Sequence, residues 1–194
     1  MKYRKNVCQA DNPQVTAVRN SIVKNIPTKF GYYIAGFADG EGSFNVSLKK
    51  RDDYKQQWKI TASFNVSQRD QTTLLKIKKL LKCGTLRSRK DGVVYYEVTD
   101  IDHLYRVVIP FFRKFSFISK MKKKNFSIFS RIVFLLKTGE HATSKGLRKI
   151  LLLRESLNKG RGRKRKYDIH DVYPAGTSET TRKTVSNQKL ESTI

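Results

Sequence analysis

Acidic residues are scarce in this chain of 194 residues: 16 Asp and Glu stand against 41 Lys and Arg, a formal charge of +25. That deficit points to a polyanionic partner. Nucleic acid fits better than a membrane surface, because the basic residues are spread along the chain and no basic amphipathic helix with a Trp-rich apolar face is evident. No apolar run approaches the length of a membrane span, which excludes a spanning helix as a reading of the sequence. Cysteine is nearly missing too. Cys8 and Cys83 match neither a disulfide framework nor a zinc site, and a reducing compartment is expected. His103, His141 and His170 stand alone, without metal-ligand spacing. Met1 to Lys5 leads into polar sequence instead of an apolar signal core, so an intracellular location is expected.

What remains is enough for a core: 38% of residues are hydrophobic and 11% aromatic, and the chain reads as one folded domain with extensions. Residues 1–26 carry no sustained period apart from a short helical stretch at Val15 to Ile26. Pro27 then introduces a helix in which Phe30, Tyr33, Ile34 and Phe37 recur with helical spacing up to Gly40. After Gly42 the period changes to two. Phe44, Val46 and Leu48 oppose Asn45, Ser47, Lys49 and Arg51; beyond a turn at Asp52-Asp53, Trp58, Ile60, Ala62, Phe64 and Val66 oppose Lys59, Thr61, Ser63, Asn65 and Ser67. Asp70 caps a helix bearing Leu74, Leu75, Ile77, Leu80 and Leu81, ended by Gly84. Two shorter strands, Thr85 to Arg89 and Val93 to Val98, flank an Asp91-Gly92 hairpin turn. A helix from Asp100 closes at Pro110, a longer one starts at Ser119, and another starts at Thr143 or Ser144. The order predicts an α+β fold, an antiparallel sheet covered by helices on one face, over residues 27–158. Residues 159–173 read as a basic arm through the Gly160 to Lys166 run, and 174–194 as a disordered tail.

The stretch Tyr33-Ile34-Ala35-Gly36-Phe37-Ala38-Asp39-Gly40-Glu41-Gly42 carries the most chemistry. Gly costs about 0.8–1.0 kcal/mol relative to Ala inside a helix, so Ala35, Gly36 and Gly40 call for a reason, and close approach of a partner helix supplies one. Glu41, at the helix end beside the Gly40 carbonyl, is placed to face a metal ion. On the sheet, Ser47, Lys49, Arg51, Lys59, Thr61, Ser63 and Asn65, with Arg87 and Arg89, form an outward set suited to DNA base edges and phosphates, Asp52 and Asp53 being the acidic exceptions.

The ten-residue stretch resembles the LAGLIDADG motif of homing endonucleases, and the order of elements from about Pro27 to Leu157 is similar to one domain of that family. The resemblance implies the αββαββα fold, with a curved antiparallel DNA-binding sheet. It also implies site-specific, metal-dependent cleavage of double-stranded DNA at a long pseudo-palindrome, with 3′ overhangs, in the service of intron homing. A single motif copy implies a homodimer. By the same resemblance Glu41 is the catalytic metal-binding acid and Gly40 contributes its carbonyl. Asp39 fixes the helix end and dimer contact, Gln68 orders water, and Lys120 is the basic residue near the scissile phosphate, with Lys122 and Lys123 as neighbouring registers. Thr72 stands where a relative carries arginine. Magnesium is the expected ion, with manganese able to substitute. An intron RNA-binding maturase on the same fold is the alternative, and chloroplast, mitochondrion and bacterial cytoplasm are not distinguished.

Overall fold

Pro27 immediately precedes helix α1 (Thr28–Glu41), where a proline costs no intrahelical hydrogen bond. The computed structural model describes residues 23–51, 53, 57–158 and 165–173; the expectations for residues 1–22, for Cys8 and Asp52, for residues 159–164 and for the 174–194 tail lie outside it. Helix α1 buries Gly31, Ile34, Ala35 and Ala38. It then enters strand β1 (Gly42–Lys50) without a loop. The junction depends on Gly42, whose N–H still donates to the Ala38 carbonyl. A Cβ at position 42 would stand 2.5 Å from that same oxygen, so the chain turns from helix to strand there only with glycine.

Strands β1, β2 (Trp58–Gln68), β3 (Thr85–Ser88) and β4 (Val94–Val98) form one antiparallel sheet in the order β1-β2-β4-β3. The predicted alternation holds along both long strands, with Phe44, Val46, Leu48, Ala62, Phe64 and Val66 buried. Helix α2 (Gln71–Leu81), capped by the Asp70 carboxylate at 2.8 Å from Thr72 N, joins the two hairpins. The second hairpin turns at Gly92, whose φ of +78° suits the Asp-Gly pair read from the sequence.

One predicted boundary is corrected. The helix expected to close at Pro110 continues: α3 (Ile101–His103) passes into a π-helical turn, Leu104–Val108, and then α4 (Ile109–Lys114), with Pro110 in the first turn of α4. Widening the ladder just before Pro110 accommodates the missing N–H, so the chain keeps its direction. Helices α5 (Lys120–Lys137) and α6 (Ser144–Ser156) follow. The helices cover the inward face of the sheet, where Phe44 lies among the rings of Phe64, Phe112, Phe117, Phe126 and Phe129, at centroid distances of 4.9–5.8 Å.

A smaller core closes the far end of β1 and β2. Leu48, Leu147 and Leu151 pack there against Trp58, Tyr167 and the short helix α7 (Ile169–Val172). The described part of the expected basic arm is therefore folded back: Arg165 donates to the carbonyls of Arg154 and Leu157 and to Glu155, and Tyr167 packs edge-on against Trp58. Arg154, only 3% exposed, ties this corner to the sheet through the Val46 carbonyl at 2.9 Å. Residues at the end of the N-terminal extension are also docked, Val23 and Ile26 being buried.

Gly42→Ala is expected to lower unfolding free energy by about 1–3 kcal/mol, the usual cost of forcing an extra group into a packed site. Denaturant melts at unchanged m-value measure it; a midpoint equal to wild type would contradict this account of the junction.

Candidate active site and nucleic-acid interface

Asp39 organises the end of α1. Its Oδ2 accepts from the backbone N–H groups of Ile118 (3.0 Å) and Ser119 (2.9 Å), and its Oδ1 from the Ser119 hydroxyl (2.5 Å). The carboxylate thus sits at the N-terminus of α5, where the unpaired N–H groups of a helix favour negative charge. Burial pushes its pKa up, but the Ser119 and Ile118 hydrogen bonds and the nearby Lys122 charge outweigh that, and the group ends below the usual Asp range. Ser119 in turn caps α5 through Lys122 N.

The clamp also places one of the three neighbouring lysines against the motif. The Lys122 ammonium donates to the Gly42 carbonyl, at the motif exit, at 2.5 Å. Lys120, the residue expected there, is exposed at the first position of α5, as is Lys123 farther along. Of the three lysines it is Lys122, one of the neighbouring registers, that meets the motif exit, Ser119 capping the first turn of α5 through Lys122 N. Half-burial lowers the Lys122 pKa, against the opposing attraction of Asp39 and Glu41.

Glu41 ends α1 on the exposed side of the clamp. Gly40, beside it, has open space where a Cβ would stand. Gln68 ends β2 two residues past the Gly42–Val66 pair, which puts it next to the same junction; its Oε1 accepts from Arg69 N at 3.1 Å. Gly40, Glu41 and Lys122 therefore lie together at the α1–β1 junction, and Gln68 ends the neighbouring strand. Thr72 lies exposed on the first turn of α2.

The uncovered face of the sheet carries most of the predicted outward set in continuous rows. Lys49 pairs with Lys59, Ser47 with Thr61 and Asn45 with Ser63; Asn65 links Ser43 to Glu97 and Thr85, and Tyr95 links Ser67 to Arg87. Two predicted readers are engaged within the chain. Arg51 makes a two-pronged bond to Asp53 at 2.7 and 2.6 Å, and Arg89 bonds the Tyr95 hydroxyl and pairs with Asp91 at 3.3 Å. Glu97 is an acid that the outward set overlooked; it shares the parity of Tyr95 on β4, and its pairing with Asn65 places it on this face. Ser43, Asn45 and Tyr95 were legible by strand parity and complete the rows.

The small-residue stripe on α1 is also redistributed. Ala35 is 1% exposed and belongs to the chain's own core, whereas Gly36 and Gly40 lie on the open side with Tyr32 (56% exposed) and Tyr33 (53%). Gly31, not singled out from the sequence, is the glycine the internal packing requires: a Cβ there would stand 2.3 Å from the Phe115 ring.

A helix that delivers a carboxylate at the edge of an open antiparallel sheet, with helices behind it, is the LAGLIDADG homing endonuclease fold. A family model described as LAGLIDADG endonuclease matches residues 34–133. The chain belongs to that family. Among curated relatives it is 33% identical over 159 residues to a probable intron-encoded endonuclease 2 of Neurospora crassa, covering 80% of this chain and 35% of that protein. It is 40% identical over 65 residues to DNA endonuclease I-CvuI of Chlorella vulgaris, covering 31% and 39%. Among solved structures it resembles the I-SmaMI LAGLIDADG homing endonuclease bound to cleaved DNA, with TM-score 0.64 and 32% identity over 68% of this chain and 45% of that one. The homing endonuclease I-TnaI gives TM-score 0.63 at 31% identity over 68% and 89%. The chain spans about a quarter to two-fifths of the first curated relatives it matches.

Asp39→Ala should destabilise the protein by about 1–3 kcal/mol, because two backbone N–H groups and a hydroxyl lose their acceptor, and Ser119→Ala by about 0.5–2 kcal/mol, because α5 loses its cap. Chemical denaturation of both variants measures this; wild-type stability of the Asp39→Ala protein would remove the clamp from the carboxylate.

Proposed function

We propose that the chain acts as a homodimeric, site-specific homing endonuclease that cleaves both strands of a long, partly palindromic DNA site and leaves 3′ overhangs. The observation that carries this reading is the meeting of Glu41, the Gly40 carbonyl and Lys122 at the α1–β1 junction, beside the end of β2 and the polar rows of the sheet. Sheet strands fit the DNA major groove, where side chains two apart meet successive base edges, and the surrounding lysines supply salt-sensitive phosphate attraction.

Glu41 and the Gly40 carbonyl are hard oxygen donors at an open helix end, which suits magnesium or manganese. Among the described residues no group of three or more His, Cys, Asp or Glu is placed to hold a metal ion, so one chain offers a half-site. A second copy would bring a second Glu41. When bound, the metal supplies charge stabilisation at the phosphate and a more acidic attacking water. Lys122 holds a positive charge close to the reacting phosphate, and the Gln68 side chain orients water.

The open side of α1 is the surface for the second copy. Tyr33, Gly36 and Gly40 form its centre. Tyr33 bonds Thr73, which brings Leu75 (48% exposed) to one flank, and the Asp39 clamp fixes Ile118 (85%) and neighbouring Met121 (45%) at the other. Apolar residues left open around two glycines are what close packing of two helices requires. That the chain covers 45% of the I-SmaMI chain but 89% of I-TnaI supports a module that works in pairs. Among the described residues no helix is long and apolar enough to cross a membrane.

Incubated with magnesium and a library of long duplex sites, the wild-type protein should generate ends at one sequence. Glu41→Gln should lose cleavage by on the order of a hundredfold or more while its duplex affinity stays within a few-fold; full cleavage by this variant would refute its role. A Cβ at Gly36 meets nothing within 4 Å in one chain, so Gly36→Leu should fold with at least wild-type stability yet sediment as a monomer and fail to cut. A stable, active dimer of the Gly36→Leu protein would move the interface elsewhere.

A further inference from the structure

On the side of α5 turned away from the sheet lies a cleft of about 550 Å³ between α4, α5 and α6, which the endonuclease reading does not use. Its size matches a small-ligand site. Tyr105 and Phe134 stand at its mouth, 37% and 47% exposed, with ring centroids 6.4 Å apart. Arg113 and Arg131 line it, both exposed and without an acidic partner among the described residues, and Lys149 reaches it while 3.8 Å from Glu140. Deeper in, the Ser130 hydroxyl is buried and has no hydrogen-bond partner among the described residues.

Cations on a helix surface are ordinarily a solvated face. Here three of them ring a concavity that is also lined by two partly exposed aromatic rings and a buried hydroxyl lacking a partner among the described residues, and each feature suits a different part of one ligand. Arginine forks pair with phosphate oxygens, aromatic faces stack on bases, and the hydroxyl can hydrogen-bond a base or sugar edge. A duplex hides its base faces, whereas a single strand displays them.

We propose that this cleft binds one nucleotide of a single-stranded nucleic acid, its base against Tyr105 and Phe134 and its phosphate between Arg113 and Arg131. The site is separate from the duplex-binding face of the sheet, so a single strand and a duplex can be held together by one chain.

The test uses the full chain carrying Glu41→Gln, so that no cleavage intervenes and its outcome is independent of the catalytic reading. Fluorescein-labelled dT12 and rU12 are titrated by anisotropy at fixed salt with excess unlabelled duplex occupying the sheet; free UMP is a competitor. Arg113→Ala with Arg131→Ala, and separately Phe134→Ser, change exposed side chains and should melt like the parent. Each should weaken single-strand binding on the order of tenfold and leave duplex affinity within twofold. A preference for rU12 over dT12 identifies RNA as the source, equal affinity identifies any single strand, and competition by UMP shows that one nucleotide suffices. Unchanged single-strand binding in both variants, a parallel loss of duplex binding, or equal competition by a poly-glutamate peptide would overturn the proposal.

Discussion

The Asp39 carboxylate is the contact on which the site depends. It joins the last turn of α1 to the first N–H groups of α5, two elements separated by some 80 residues of chain. A carboxylate at a helix N-terminus meets several donors and a favourable dipole at once. Here that local preference does long-range work. It sets the phase of α5, which delivers Lys122 to the Gly42 carbonyl, and it anchors the end of α1 so that Glu41 projects from a fixed point. Gly42 completes the arrangement from the other direction, by letting the helix become a strand without an intervening loop.

Because α1 enters β1 directly, the acid and the polar face of the sheet are parts of one continuous piece of backbone. Strand pairing then converts alternation into rows. Lys49 beside Lys59 and Ser47 beside Thr61 come together only through the β1–β2 register, and Asn65 acquires Glu97 as a neighbour through β4. The paired lysines repel one another in the absence of a polyanion. A charge of +25 acts the same way over the whole chain and favours partners that neutralise it. Arg51 and Arg89, by contrast, are satisfied internally by Asp53, Tyr95 and Asp91. Formal charge therefore overstates the number of side chains ready to grip phosphate.

Much of this was legible in the linear chain where the signal is periodic or stereochemical. The two long strands announced themselves by strict alternation, α2 by Asp70 and its leucine stripe, and the second hairpin by Asp91-Gly92. Legibility failed where the deciding partner is distant. Ala35 looks identical to Gly36 as a small helical residue, yet Ala35 is packed inside and Gly36 is open. Lys120, Lys122 and Lys123 share one local pattern, and only the bond to Gly42 distinguishes them. Pro110 is a strong local stop signal that the preceding π-helical turn overrides. Arg165 reads as part of a basic run but is engaged by the carbonyls at the end of α6.

The sequence by itself determined the element types, the two faces of the sheet and the motif that carries the carboxylate, because hydrophobic period, capping residues and turn glycines act over a few residues. It also set the charge that a partner would neutralise, since net charge does not depend on folding. Tertiary structure alone decided which lysine meets the motif, which glycines face inward, which arginines stay available and where an aromatic, basic cleft opens behind the sheet. Those outcomes rest on contacts between groups far apart in the chain, made once burial of the aromatic core has fixed how the helices lie across the strands.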